Sequence, residues 1–285
     1  MNYSNQKKGM LLAFTAVLLI TPDSLFIRLA SINSWNLIFY RGLIPFLLVF
    51  IGLIFIYKKK LLKELINNGW HGVAYAVVFT MTNIVFVISI ENTNVANTLI
   101  MIALAPMLSA VISFIFLKEN TDQKTWFAII VTTLAVIYIF NDSFERGDVL
   151  GNFLGLICAT GLAVGAVIIR SAKKINLVPS AMMGKLMVTL IALLFADNLV
   201  LKGNDSIIIP LMCVMCVAIP FVLITLAPRY IGAAEVNLFF LLETILGPIW
   251  VWLVIKEQPS IETIIGGIVI IVTIASHSIL SFKKN

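Results

Sequence analysis

The sequence predicts an all-α integral membrane protein of about ten transmembrane helices in two inverted five-helix repeats, with both termini cytoplasmic. Three observations carry that prediction: the composition, a segment that occurs twice, and a lopsided distribution of lysine and arginine. Of 285 residues, 60% are hydrophobic and 12% charged, and the mean hydropathy is +1.04. Such a chain lacks the polar surface needed to cover a water-soluble globule.

A helix needs roughly 20 apolar residues to cross the hydrocarbon, and ten such runs are legible. They are 9 to 29, 35 to 57, 71 to 90, 96 to 117, 124 to 140, 150 to 170, 178 to 197, 206 to 227, 233 to 255 and 260 to 281. No long hydrophilic stretch is left for a soluble catalytic domain, so no enzyme and no cofactor is expected. Lys7 and Lys8 before an apolar run resemble the start of a secretory signal. No small-x-small cleavage site follows, and the run continues through Leu25-Phe26-Ile27, which predicts an uncleaved first span.

The repeated segment is Leu117-Lys118-Glu119 with Thr125, which recurs as Ile255-Lys256-Glu257 with Thr263. Each copy sits between two apolar runs. This divides the chain into a first repeat, 1–145, and a second, 146–285. Five spans per repeat is an odd number, so the second copy is upside down relative to the first. Inverted repeats give a structure two near-equivalent shapes, one open to each side of the membrane.

Positively charged loops stay cytoplasmic. With the N-terminus inside, the inner loops hold Lys7, Lys8, Lys58, Lys59, Lys60, Lys63, Lys118, Lys124, Arg170, Lys173, Lys174, Arg229, Lys283 and Lys284. The outer loops hold Arg146, Lys202 and Lys256. The same excess accounts for the net charge of +6 and the pI of about 9.2, with no basic face left over for nucleic acid.

The chain resembles the EamA-type members of the drug/metabolite transporter superfamily over nearly its whole length. In the first half the matching text is Asn92-Thr93-Asn94-Val95-Ala96-Asn97-Thr98-Leu99, then Ala105-Pro106, then Leu117-Lys118-Glu119. In the second half it is Arg229-Tyr230-Ile231-Gly232-Ala233-Ala234-Glu235-Val236, then Leu241-Leu242-Glu243, then Lys256-Glu257. The resemblance implies ten helices in two inverted repeats and carriage of metabolites, amino acids or drug-like compounds. The family often places proline directly after the ninth-span Glu, whereas Thr244 follows Glu243 here and the proline comes at Pro248.

Charges inside spans carry the mechanistic information, because an unpaired charge in hydrocarbon costs at least ~2.5 kcal/mol. The candidates are Asp23, Arg28, Arg41, Lys185 and Glu243. Arg28 lies near the outer end of its span, from which it is expected to snorkel to the headgroups. Asp23 and Arg41 each lie about seven residues, or ~10 Å, from the outer ends of adjacent spans. They are expected either to lock two helices as an ion pair or to bind an anionic solute group through Arg41, with Asp23 releasing it. Lys185 occupies the inverted counterpart of Arg41, either as a second anion site, or snorkelling inward or paired with Glu235, and in a dry site a lysine can also sit neutral. Glu243 falls near the middle of span nine. It and Asp23 are candidates to carry a coupling proton, Glu243 the better because Asp23 has a cationic partner.

Asn83, Asn97 and Asn237 are polar groups in or near spans, placed for helix-to-helix hydrogen bonds or for ligand contacts. Trp250 lies deeper than an interface anchor and either packs in the bundle or lines a cavity. Pro22, Pro45, Pro106, Gly247 and Pro248 are candidate hinges, since Pro45 and Pro248 free the carbonyls of Arg41 and Thr244. Cys213 and Cys216 form a C-x-x-C within an apolar span, with no companion Cys or His for a metal.

The functional expectation is a secondary carrier or facilitator of a small anionic or zwitterionic metabolite, such as an amino acid. It would work by alternating access, with a small-molecule substrate, a surrounding bilayer and protons as a candidate coupling ion, in a bacterial inner membrane. An exporter of drug-like or toxic organic compounds is the alternative within that class. A channel-like pore is the alternative outside it, although no repeated filter sequence is present.

Overall fold

The computed structural model describes residues 3–118, 123–172, 175–227, 230 and 233–282. Side chains are described for 7–118, 123–143, 146–172, 175–224, 226, 227, 230 and 239–277. Glu119, Lys173, Lys174, Arg229, Ile231, Gly232, Lys283 and Lys284 lie outside the described residues, and Glu235 and Asn237 outside the described side chains.

All regular structure among the described residues is helical, as hydrocarbon requires of a chain that must satisfy its own backbone groups. The helices are α1 (Tyr3–Ile20), α2 (Asp23–Leu29), α3 (Ser34–Tyr57), α4 (Leu61–Asn67), α5 (Gly69–Asn92), α6 (Val95–Ile102) and α7 (Ala105–Leu117). They continue as α8 (Gln123–Arg146), α9 (Val149–Ser171), α10 (Val178–Leu193), α11 (Asp205–Met212), α12 (Ile219–Leu226), α13 (Ala233–Ile255) and α14 (Ile261–Phe282). Seven continuous stretches among the described residues are long and apolar enough to cross a membrane, and Val178–Leu193, Phe239–Ile255 and Ile261–His277 are shorter apolar helices.

Where the sequence predicts single helices over 9 to 29 and 96 to 117, the structure has two in each case. Pro22 has no N–H to give and its ring crowds the preceding turn, so α1 ends at Ile20 and α2 begins at Asp23. Pro106 occupies the first turn of α7, where the missing donor is harmless. Pro45 and Pro248, by contrast, lie inside the continuous helices α3 and α13. The run over 206 to 227 contains a π-helical segment, Cys213–Ala218, between α11 and α12. Pro210 precedes it and Pro220 follows it.

Side-chain contacts sort the connections into two ends of the bundle. At one end, Asn176 Nδ2 donates to Tyr57 Oη at 2.6 Å, Asn68 Nδ2 donates to Ser180 Oγ at 2.7 Å, and Thr125 Oγ1 meets His277 Nε2 at 2.7 Å. Lys8 lies 4.9 Å over the Tyr230 ring at the same end. At the other end, Arg28 donates to the Thr93 carbonyl at 2.7 Å, Asn36 to the Asn198 carbonyl at 2.7 Å, and the Ser31 amide to Asp205 at 3.1 Å. Ser34 donates to Glu91 there. The first end carries Lys58, Lys59, Lys60, Lys63, Lys118, Lys124 and Arg170 with Glu64; the second carries Asp148, Asp197, Asp205, Glu257 and Glu262 with Arg146, Lys202 and Lys256.

Helix α3 packs on α10, α10 on α5, α5 on α9, and α9 on α6 and α7. On the other side α1 packs on α12 and α13, α3 on the π-helical segment, α6 on α13, and α8 on α14. Small residues permit the closest approaches, as in other helix pairs that meet without a hydrophobic driving force. At Gly42, beside Arg41, a Cβ would stand 2.8 Å from the Thr189 amide nitrogen and 3.0 Å from the Lys185 carbonyl. Backbone atoms cannot yield as a side-chain tip can. Gly42→Ala is therefore expected to lower stability by about 1–3 kcal/mol through overpacking, read as a fall in the thermal midpoint in detergent. Gly52→Ala, on the same helix with nothing within 4 Å, should leave the midpoint nearly unchanged.

Candidate functional site: buried charges between the helices

Asp23 opens α2 directly after the Pro22 break, and Arg41 sits in the middle of α3. The guanidinium holds the carboxylate with two parallel bonds, Nη1 to Oδ1 at 2.6 Å and Nη2 to Oδ2 at 2.7 Å. This fork-to-fork geometry is the strongest that an Arg and a carboxylate make. Both side chains are buried, with 7% and 4% of their surfaces exposed. Met212 Sδ lies 3.5 Å from Nη1, and the Phe86 ring lies 5.7 Å from the guanidinium carbon. Arg41 is thus committed to Asp23 in this structure.

Lys185 is placed very differently. It is 1% exposed on α10 and is the largest fully buried side chain of the described residues. Its ammonium donates to Asn83 Oδ1 at 2.5 Å and lies 5.4 Å from the Phe79 ring centre. Asn83 Nδ2 donates to the Phe79 carbonyl at 2.7 Å, which turns the amide oxygen toward the lysine. No carboxylate among the described residues lies within ion-pair distance of Lys185. A neutral amide compensates an ammonium only in part.

Glu243, 9% exposed on α13, has no ion-pair partner among the described residues. Trp250, two turns further along α13, is 40% exposed and donates to Thr21 Oγ1 at 3.2 Å, which ties α13 to the break before Asp23. Gly247 lies against Leu99 and Ser24, so α13 approaches α6 and α2 closely at this level.

The buried charges come from α2, α3, α10 and α13, and α5 supplies Phe79, Asn83 and Phe86 from one face to Lys185 and Arg41. Residues three and four apart share a helix face, so that stripe was legible. Met212 and the π-helical segment beside Arg41 were not singled out in the sequence, although Pro210 and Pro220 bracketing one span mark an irregular helix. Cys213 and Cys216 lie on that segment as free, buried thiols. No cluster that could hold a metal occurs among the described residues.

One expectation needs correction. Arg28 does not snorkel outward: besides its bond to the Thr93 carbonyl, its Nε lies 3.1 Å from Glu257 Oε2, an ionic contact without hydrogen-bond alignment. Glu257 Oε1 in turn accepts the Val95 amide at 2.7 Å, capping α6. A carboxylate and an open backbone carbonyl nearby meet its charge within the protein. Asn97 is consumed by structure, donating to Thr93 at 3.0 Å and accepting from Thr263 at 2.6 Å. A surface hollow of about 540 Å³, lined by Ser31, Asn36, Asn198, Lys202 and Asp205 among others, contains none of Asp23, Arg41, Lys185 and Glu243.

A helical bundle with this many apolar faces and charges this deep defines a multi-pass membrane protein. The chain belongs to the EamA-like transporter family, whose model matches residues 7–141 and again 149–278. It is 22% identical over 198 residues to an uncharacterized transporter of Methanothermobacter thermautotrophicus, a match covering 66% of this chain and 58% of the relative. The match thus spans little more than half of that relative's length. One protein of known crystal structure, 15% identical, aligns over 96% of this chain and 98% of its own with a TM-score of 0.67. That likeness concerns the fold.

The bidentate pair makes a measurable claim. Arg41→Gln strands the Asp23 carboxylate and should cost about 3–5 kcal/mol, whereas Asp23→Asn combined with Arg41→Gln should recover most of the loss. Unfolding midpoints of the two single variants and the double variant in detergent give the coupling energy.

Proposed function

We propose that this protein is an alternating-access secondary carrier of a small anionic or zwitterionic organic solute, with Lys185 and Asn83 receiving the solute's anionic group. One observation carries the reading: Lys185 is a fully buried basic side chain whose described hydrogen-bond partner is a neutral amide. A solute carboxylate or phosphate would complete it. Arg41 and Asp23 act beside it as a closed pair that fixes α2 against α3. Glu243, on the far side of that pair in the second half, is the group placed to exchange a proton as the site opens.

The ten-span inverted arrangement is part of this reading. Exchanging each span of one half with the corresponding span of the other turns the α1–α12 contact into α9–α5, and the α3–π-segment contact into α10–α5. The α3–α10, α6–α13 and α8–α14 contacts map onto themselves. The two family matches divide the chain at the same place. Lys118 and Lys256, the middle residues of the repeated segment, share a left-handed backbone with φ of 52° and 65°. The basic end is cytoplasmic on the positive-inside rule, which puts both termini inside and fits a bacterial inner membrane.

In this frame the opposite, outer end is shut. Arg28 of α2 and Glu257 of the second half, together with the Thr93 carbonyl and the Val95 amide, clasp the two halves across the bundle. Passage on that side requires the clasp to part.

Counterflow in proteoliposomes tests the proposal. Vesicles loaded with candidate carboxylates, phosphates and amino acids should show saturable, trans-stimulated uptake of the matching radiolabelled solute, and Lys185→Gln should reduce it at least tenfold while remaining folded. Non-saturable flux without trans-stimulation would favour a pore, and undiminished counterflow in Lys185→Gln would remove the lysine from the site.

A further inference from the structure

At the basic end the chain leaves α3 through Lys58, Lys59 and Lys60, a single 3-10 turn that Lys58 enters with φ of 49°. α4 follows, carrying Lys63, and all four lysines are exposed. Three faces of this short helix are distinguishable. Leu61 is buried, and Leu65 packs against the same apolar cluster, which includes Tyr75, Leu177, Val178 and Met182. Leu62 and Ile66, one turn apart on another face, are 69% and 71% exposed, and Trp70 beyond the Gly69 turn is 78% exposed. Lys63 stands between those faces.

Seven residues do not hold a helix in isolation, so the segment is fixed from outside. Asn176, ahead of α10, donates to Tyr57 Oη at 2.6 Å before the turn, and its carbonyl accepts from Asn68 at 3.1 Å after α4. Asn68 also donates to Ser180 of α10 at 2.7 Å. The segment is a strap pinned at both ends to the helix that bears Lys185. Retention of positive charge in the cytoplasm explains lysines in this loop. It does not explain why three large apolar side chains stand outward beside them on a pinned support.

We infer that the strap over residues 58–70 is a binding site for anionic phospholipid headgroups of the cytoplasmic leaflet. Lys58, Lys59, Lys60 and Lys63 engage the phosphates, and Leu62, Ile66 and Trp70 sit among the first carbons of the acyl chains. Basic residues next to a membrane span attract anionic lipid, and apolar side chains beside lysines on a short interfacial helix insert at the headgroup boundary. Occupation of the strap steadies the start of α10, because the pins and the buried cluster are shared. The site depends on the membrane placement of the bundle and is independent of which solute is carried.

Quenching of Trp70 by brominated lipid tests this without recourse to transport. The Trp70 signal is the difference between the protein and its Trp70→Phe variant, reconstituted in phosphatidylcholine containing increasing fractions of brominated phosphatidylglycerol. Each lysine near an anionic surface is worth roughly fivefold in local lipid concentration. Half-quenching should therefore need at least a tenfold lower fraction of brominated phosphatidylglycerol than of brominated phosphatidylcholine. Replacing all four lysines by Gln should erase the difference, and replacing all four by Arg should preserve it. High salt should weaken it in the unaltered protein. Equal quenching by the two lipids, or an undiminished preference in the four-Gln variant, would overturn the inference.

Discussion

A charge carried into hydrocarbon has to be met by an opposite charge, by hydrogen bonds or by a ligand, and the interior of this bundle is arranged around that requirement. Asp23 and Arg41 meet it within the protein, through two bonds of 2.6 and 2.7 Å. Lys185 meets it only in part, through one amide oxygen. The difference between a complete pair and an incomplete one separates the structural part of the site from the part that, in the proposed function, solute completes. It also explains the dense packing nearby: Gly42 brings α3 against the backbone of α10, which excludes water from both groups.

The same requirement shapes the ends. Arg28, Glu257, Thr93 and Val95 satisfy one another across the two halves at one face. At the other face the strap of lysines has no protein anion to meet among the ion pairs described, and the membrane surface supplies one. Proline breaks at Pro22 and before Pro106, together with the π-helical segment at Cys213–Ala218, interrupt spans where the halves meet. Interruptions of this kind are tolerated in hydrocarbon only when buried in protein or facing a cavity. They give rigid helices places at which to bend.

Much of this was legible in the sequence, because membrane helices leave long apolar runs and because buried charges are rare enough to stand out. Composition alone fixes the helical membrane class. Equal depth brings Asp23 and Arg41 together, and a five-residue spacing keeps Arg28 off the same face. What sequence could not supply was choice among partners. Arg28 is met within the protein because Glu257, far away in the chain, and the Thr93 carbonyl both lie within reach; depth in the span says nothing of either. Asn83 and Asn97 look alike as single polar residues in apolar runs, yet one faces an ammonium and the other closes a hydrogen-bond chain through Thr93 and Thr263. The breaks in spans one and four follow from proline chemistry, but proline inside α3 and α13 left those helices unbroken, so packing decides which prolines cut.

The central claim is that the Lys185 position is a solute site reached alternately from the two faces. Its most direct test places a cysteine at Lys185 in a chain whose Cys158, Cys213 and Cys216 are replaced by Ser, and follows modification by a membrane-impermeant charged thiol reagent from each side of oriented vesicles. The account predicts slow labelling from both faces. Labelling from one face alone, or from neither, would contradict alternating access at this position.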